Sequence, residues 1–183
     1  MAAKKKAKTR RSPADITKAW RKLEPELAKH KMERERQGET FTSITREEFE
    51  AKVKRVNSPM IVSQSWNNTA SPGGTINDSV GIFNPDPIQW SNLAVSVSIG
   101  NRNPIASNDE FLTAFDARFP TYAKPATVGF SLAPGASTTQ SFQVRIPAGV
   151  EKAGYFGNSV LLQISFHDVG KYLDRGCFFF DVV

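Results

Sequence analysis

From about Asn57 onward, apolar residues recur at every second position. Leu93, Val95, Val97 and Ile99 alternate with Ala94, Ser96 and Ser98. Val128, Phe130 and Leu132 alternate with small or polar residues, and Phe142, Val144 and Ile146 alternate with Ser141, Gln143 and Arg145. A period of two places each apolar set on one face of a half-buried strand. The pattern predicts strands at 59–66, 76–83, 91–99, 126–132, 139–146, 158–167 and 176–182. Turn residues separate them: Ser71-Pro72-Gly73-Gly74, Asn84-Pro85-Asp86-Pro87, Pro134-Gly135 and Gly154 through Gly157-Asn158. Pro134-Gly135 suits the centre of a type II turn, because Pro fixes φ at the first position and Gly accepts positive φ at the second.

Residues 57–183 therefore read as an all-β, seven-stranded, immunoglobulin-like antiparallel sandwich. An eight-stranded jelly roll is the alternative if the 101–125 connection holds a further strand. Within that connection Ser107-Asn108-Asp109-Glu110 forms a capping box ahead of Phe111, Leu112, Phe115 and Phe119. This spacing predicts a short helix over one end of the sandwich.

The pattern is different before Asn57. Ile16, Trp20, Leu23 and Leu27 follow one another at steps of four, three and four, the spacing of a single helical stripe. Ser12-Pro13-Ala14-Asp15 supplies an N-cap, a proline suited to the first helical position and an acid at the positive end of the dipole. Pro25 either kinks this helix or divides it, and Gly38 is placed to end it. Thr45-Arg46-Glu47-Glu48 opens a second helix with a capping box, with Ile44 and Phe49 as its hydrophobic staple and Val53 further along the same face. So narrow a stripe cannot hold a domain alone. Residues 12–56 are thus expected to lean on the sandwich, on another subunit or on a ligand, with 1–11 as a disordered basic tail.

Charge sharpens this division. Residues 1–55 hold 17 of the 24 Lys and Arg against 9 of the 18 Asp and Glu, a balance of +8, whereas the remainder has 7 against 9, a balance of −2. An arm that meets an anionic partner, carried on a near-neutral body, fits this asymmetry. Its candidate contacts with nucleic acid or another polyanion are Lys4, Lys5, Lys6, Lys8, Arg10, Arg11, Lys18, Arg21 and Lys22. Trp20 could stack on a base, although its place on the stripe favours packing. No helix-turn-helix core is evident, so backbone contacts without sequence preference are expected. The stripe of Ile16, Trp20, Leu23 and Leu27 is also a candidate surface for a partner helix.

Catalytic chemistry is poorly represented. His30 lies among helix charges and His167-Asp168 closes an apolar strand, so neither faces a nucleophile in the sequence. The single Cys177 excludes an internal disulfide, and one Cys with two His does not make a zinc site. Asp78, Asp86, Asp168 and Asp174 lack the spacing of a calcium loop and read as solvated turn acids. No phosphate-loop or dinucleotide fingerprint occurs, and no cofactor is expected. No apolar run is long enough to span a membrane. The basic start lacks the apolar core of a signal peptide, so a cytoplasmic or virion location is expected rather than secretion.

The segments SPGGT…VGIFNPD and LAPGASTTQSFQVRIP resemble bacterial CARDB-type and related immunoglobulin-like modules, the matching positions being Pro134, Gly135, Ser137, Phe142, Val144, Ile146 and Pro147. Within 57–183 the resemblance implies a sandwich fold and the secreted, adhesive or architectural roles usual for such modules. The basic helical leader departs from that pattern. The sequence thus predicts a non-enzymatic structural or interaction protein that self-assembles or binds a protein partner, its basic arm on a polyanion, as in small virion proteins. The alternative is an extracellular adhesion or carbohydrate-binding module tethered by the N-terminal segment.

Overall fold

The computed structural model describes residues 11–100, 124–145, 159–168 and 171–183. The chain begins with helix α1, Pro13–Arg36. Ser12 Oγ accepts from the Asp15 amide at 3.2 Å and donates to Asp15 Oδ2 at 2.7 Å, so the anticipated cap forms with Asp15 as its reciprocal acceptor. At the far end the Gly38 amide bonds to the Glu35 carbonyl and the Glu39 amide to the Arg34 carbonyl, both pairs of a Schellman motif. The helix runs unbroken through Pro25. Pro25 and Arg21 are both exposed, so water can reach the Arg21 carbonyl that the missing N–H leaves open.

Strand β1 (Thr40–Ser43), helix α2 (Arg46–Arg55) and strands β2 (Met60–Trp66), β3 (Thr69–Ala70), β4 (Thr75–Phe83) and β5 (Trp90–Gly100) follow. The last strands are β6 (Lys124–Leu132), β7 (Ser137–Arg145), β8 (Ser159–Asp168) and β9 (Lys171–Val182). All seven predicted strands are present. The predicted number is nevertheless corrected to nine among the described residues, because β1 and β3 add to it. Both are too short, at four and two residues, to show a period. The strands form two sheets, ordered β1-β2-β4-β7 and β3-β9-β8-β5-β6, which pack in a β-sandwich-like arrangement. The sheets are not wholly antiparallel: β3 runs parallel to β9. The helix predicted in the 101–125 connection, and any strand within it up to residue 123, lie outside the described residues.

Helix α1 lies on the outer face of the first sheet. Its four stripe residues are buried with Phe49 and Val53 of α2 and Met60, Val62 and Phe83 of the sheet. The rings step from Trp20 to Phe49 to Phe83 at centroid separations of 5.4 and 5.6 Å. Beyond Met60 and Phe83 the paired positions on that face are small, Ser63 with Gly81 and Ser65 with Ser79, which lets the helix approach.

A row of polar contacts fixes its direction. Lys22, Glu26, His30 and Arg34 meet Gly135, Ser137, Thr139 and Ser141 in that order. Four helical residues advance about 6 Å and two strand residues about 6.7 Å, so α1 and β7 keep step when they run parallel.

Pro134-Gly135 does not join two paired strands. It carries the chain from β6 in one sheet to β7 in the other. The Ala136 amide closes the turn on the Ala133 carbonyl at 3.1 Å, and Gly135 has φ +64°, which a side chain would strain. Asn84, fully buried, braces this crossing. Its Nδ2 points at the carbonyls of Ile88, Leu132 and Ala133 at 2.9 to 3.1 Å, and its Oδ1 accepts from the Asp86 amide at 2.9 Å. Its backbone bonds to Gly135 and Ala136. Replacing Asn84 by Ala strands these groups away from water, and an unfolding titration should show a loss of about 3 kcal/mol with an unchanged denaturant slope.

Candidate functional site

The crossing turn and the first turns of α1 enclose a cleft of about 730 Å³. One wall carries Arg11, Asp15, Lys18, Ala19 and Lys22, and the other Phe83, Pro87, Pro134 and Gly135. The loops that form the second wall are held by Asn84, and two prolines stiffen them. Lys22 Nζ donates to the Gly135 carbonyl at 2.9 Å, which ties the helix to the turn across the cleft.

Three of the nine predicted polyanion contacts, Arg11, Lys18 and Lys22, come together here. Arg21 is exposed on α1 but does not line the cleft. Lys4, Lys5, Lys6, Lys8 and Arg10 lie outside the described residues. Arg11 Nε is shielded from solvent and has no hydrogen-bond partner. That burial lowers the Arg11 pKa, and the charges of Asp86 and Asp15 oppose the shift. Asp15 is held below the usual carboxylate range by its side-chain hydrogen bond from Ser12, then by the Ser12 amide, with Arg11 and Lys18 adding to these. Three cations and one acid around an open cleft suit a phosphate or carboxylate group.

The structure places the other predicted residues differently. Ile16, Trp20, Leu23 and Leu27 are 2 to 7 % exposed and sit against the chain's own sheet and α2, the first of the three supports anticipated for them. Trp20 stands against Phe49 and has no open face for a base. His30 is half-buried, with Nδ1 at 3.5 Å from Thr139 Oγ1, rather than a free surface side chain. The side chains of His167, Asp168 and Cys177 lie outside the described residues.

The reading of the acids as solvated turn residues is corrected in three places. Asp86 accepts from the Ile88 amide and Trp90 Nε1, both at 3.3 Å. Asp174 accepts from Lys52 Nζ at 2.7 Å and the Ile61 amide at 2.9 Å, joining α2, β2 and β9. Asp78 is 3 % exposed within β4, and neither carboxylate oxygen has a hydrogen-bond partner. Its place was readable, since it shares the alternating set Ile76, Asp78, Val80 and Ile82 with three buried apolar residues. Gln64 was harder to place, because the irregularity between Ile61 and Ser63 resets the alternation of β2. Among the described residues no group of three His, Cys, Asp or Glu is disposed to hold a metal ion.

No protein-family model matches the chain, and no curated protein matches its sequence. Among solved structures it is similar to the sporulation control protein Spo0M from Bacillus subtilis, at 11 % identity and TM-score 0.42, over 69 % of this chain and 50 % of that one. This chain therefore spans half the length of Spo0M. It is also similar to the CARDB domain of the PF1109 protein from Pyrococcus furiosus, at 11 % identity and TM-score 0.41, over 69 % of this chain and 86 % of that one. A Niemann-Pick type C2 protein from Japanese carpenter ant matches at 8 % identity and TM-score 0.46, over 79 % and 99 % of the two chains. The CARDB-type resemblance narrows to a β-sandwich-like build, which the two sheets themselves display.

Burial, reinforced by the charge of Glu39, pushes the Asp78 pKa well above its ordinary value. Since the folded-state value is the higher one, the stability that protonated Asp78 contributes is complete below pH 3.8 and is lost as pH rises through the folded-state value. Asp78→Asn should therefore raise Tm by several degrees at neutral pH, and the gain over the natural chain should close below pH 3.8 in a calorimetric pH series.

Proposed function

We propose that this chain is a non-enzymatic structural or interaction protein. Its immunoglobulin-like body, residues 57–183 together with β1 and the helices packed on the first sheet, assembles with further copies or a protein partner. Its basic arm contacts nucleic acid or another polyanion in the cytoplasm or within a virion-like particle. The observation that carries this reading is the cleft where Arg11, Lys18 and Lys22 converge at the point from which the arm departs. Charge that the sequence concentrates in residues 4–11 thereby continues onto a fixed surface of the folded chain. An anionic strand led along the arm would lay phosphates against these side chains without reading bases. The loops opposite supply prolines, Phe83 and backbone rather than base-reading side chains. The tail of residues 1–11 acts as the electrostatic lead and α1 as its anchor.

A fluorescence-anisotropy titration with a labelled single-stranded oligonucleotide at low salt tests this reading. Deleting residues 2–10 removes five cations, Lys4, Lys5, Lys6, Lys8 and Arg10. It should lower the slope of log affinity against log salt by up to about 3.5. Lys18→Glu with Lys22→Glu in the full chain should weaken binding further, with the fold preserved by circular dichroism. Equal affinity with and without the arm would overturn the proposal.

A further inference from the structure

The outer strands of the two sheets are β1 and β7 in the first and β3 and β6 in the second. All but β7 are blunted against pairing with another chain. β1 has four residues and β3 two, while β6 contains Pro125 and Gly129 and its register with β5 shifts repeatedly. Where β9 extends beyond β3, it carries Lys171, Asp174, Arg175 and Gly176. β7 has none of these devices. It keeps an unbroken register with β4 from Ser137 to Arg145, without proline or glycine, and its one charge stands at the end.

The ladder shows which backbone groups face the free side of β7. The Asn84 amide donates to the Ala136 carbonyl at 2.9 Å, one step beyond the paired Phe83 and Ser137. Bonded and non-bonded pairs alternate along an antiparallel ladder, so Thr138, Gln140 and Phe142 turn their N–H and C=O groups to β4. The Asn67 amide on the Asn77 carbonyl gives the same phase from the β2 side. The groups of Thr139, Ser141 and Gln143 therefore point outward, and none has a backbone partner among the described residues. The sandwich is open on this side as well. Val80 and Ile82 of β4 are fully buried, whereas their register partners Gln140 and Thr138 are half-buried, as is Phe142. Such an edge is a template for a further strand.

We propose a surface for the self-assembly read above, on which this proposal rests: β7 pairs with β7 of a second copy, antiparallel about a two-fold axis at Ser141. A two-fold contact needs a self-complementary strand, and β7 is one. Thr139 falls opposite Gln143 of the second copy, Gln140 opposite Phe142 and Ser137 opposite Arg145, so no like charges meet. Ser141 faces itself as a bonded pair, as its outward groups require. Arg34, the cation beside Ser141, is already paired with Glu39 at 3.6 Å. The axis sets the two Pro134-Gly135 turns, and with them the two basic clefts, about 40 Å apart along the strands. One polyanion can then engage both copies.

Light scattering of the full chain over a concentration series should give twice the mass of one chain. Ser141→Pro removes an outward N–H that β4 does not use, so the circular dichroism spectrum should be unchanged. The dimer dissociation constant should rise about thirtyfold or more. With Cys177→Ser as background and diamide as oxidant, Ser141→Cys should form a covalent dimer. Bonded partners stand about 5.5 Å apart at Cα, within reach of a disulfide. Thr139→Cys should not cross-link, since the axis leaves its two copies about 13 Å apart. The proposal fails if the natural chain is monomeric at about 100 μM, or if Thr139→Cys cross-links as readily as Ser141→Cys. A dimer as tight in Ser141→Pro would overturn this surface and leave self-assembly standing. A dimer whose oligonucleotide binding ignores the basic arm would overturn the polyanion reading alone.

Discussion

Four side chains, Ile16, Trp20, Leu23 and Leu27, hold α1 against the outer face of the first sheet, and the rest of the molecule depends on that contact. Burying a side chain of this size stabilises by about 1.5–3 kcal/mol as an upper estimate. Four of them together contribute about 6–12 kcal/mol, comparable to the whole net stability of a typical domain. A leader that contributes on that scale is part of the folded body. Without it Met60, Val62 and Phe83 would face water, and β2, now buried along its full length, would lose one of its two covers.

The same contact positions the basic cleft. The row from Lys22 to Arg34 along β7 fixes the direction of α1 and so sets its first turns beside the Pro134-Gly135 crossing, where the basic cleft forms. At the β1 side, Asp174 takes Lys52 from α2 and the Ile61 amide from β2, and so ties the second helix to both sheets. Asn84 and Asp174 are alike in kind: each is a polar side chain that satisfies several groups where two layers meet. Such networks favour one arrangement of the layers over others when every member is paired.

How much was legible follows from the length of each signal. Long, regular strands carry enough alternation to be read, and LAVSVSI in β5 stood out. The N-cap at Ser12 and the capping box of Thr45 with Glu48 were plain because they are local signals, whereas the reciprocal bond from Asp15 to the first cap came with the structure. The four-residue β1 and two-residue β3 have no pattern of their own and exist through their partners, β2 and β9. The stripe on α1 showed that the helix must bury a face, while the face it would cover depended on contacts across more than a hundred positions, such as Lys22 with Gly135. The basic residues were conspicuous in composition, but that Arg11, Lys18 and Lys22 line one cleft depended on the turn at Pro134 lying against α1. Gln64 gave no warning, since an irregular strand hides which face a residue takes.

If α1 and the first sheet form one cooperative unit, native-state hydrogen exchange will show it directly. The slowest amides of Trp20, Leu23 and Leu27 should open with the same free energy, and the same dependence on denaturant, as the slowest amides of β2 and β4. Helix amides that exchange at an opening free energy lower by about 2 kcal/mol or more, with the strands still protected, would make α1 an appendage and contradict the account.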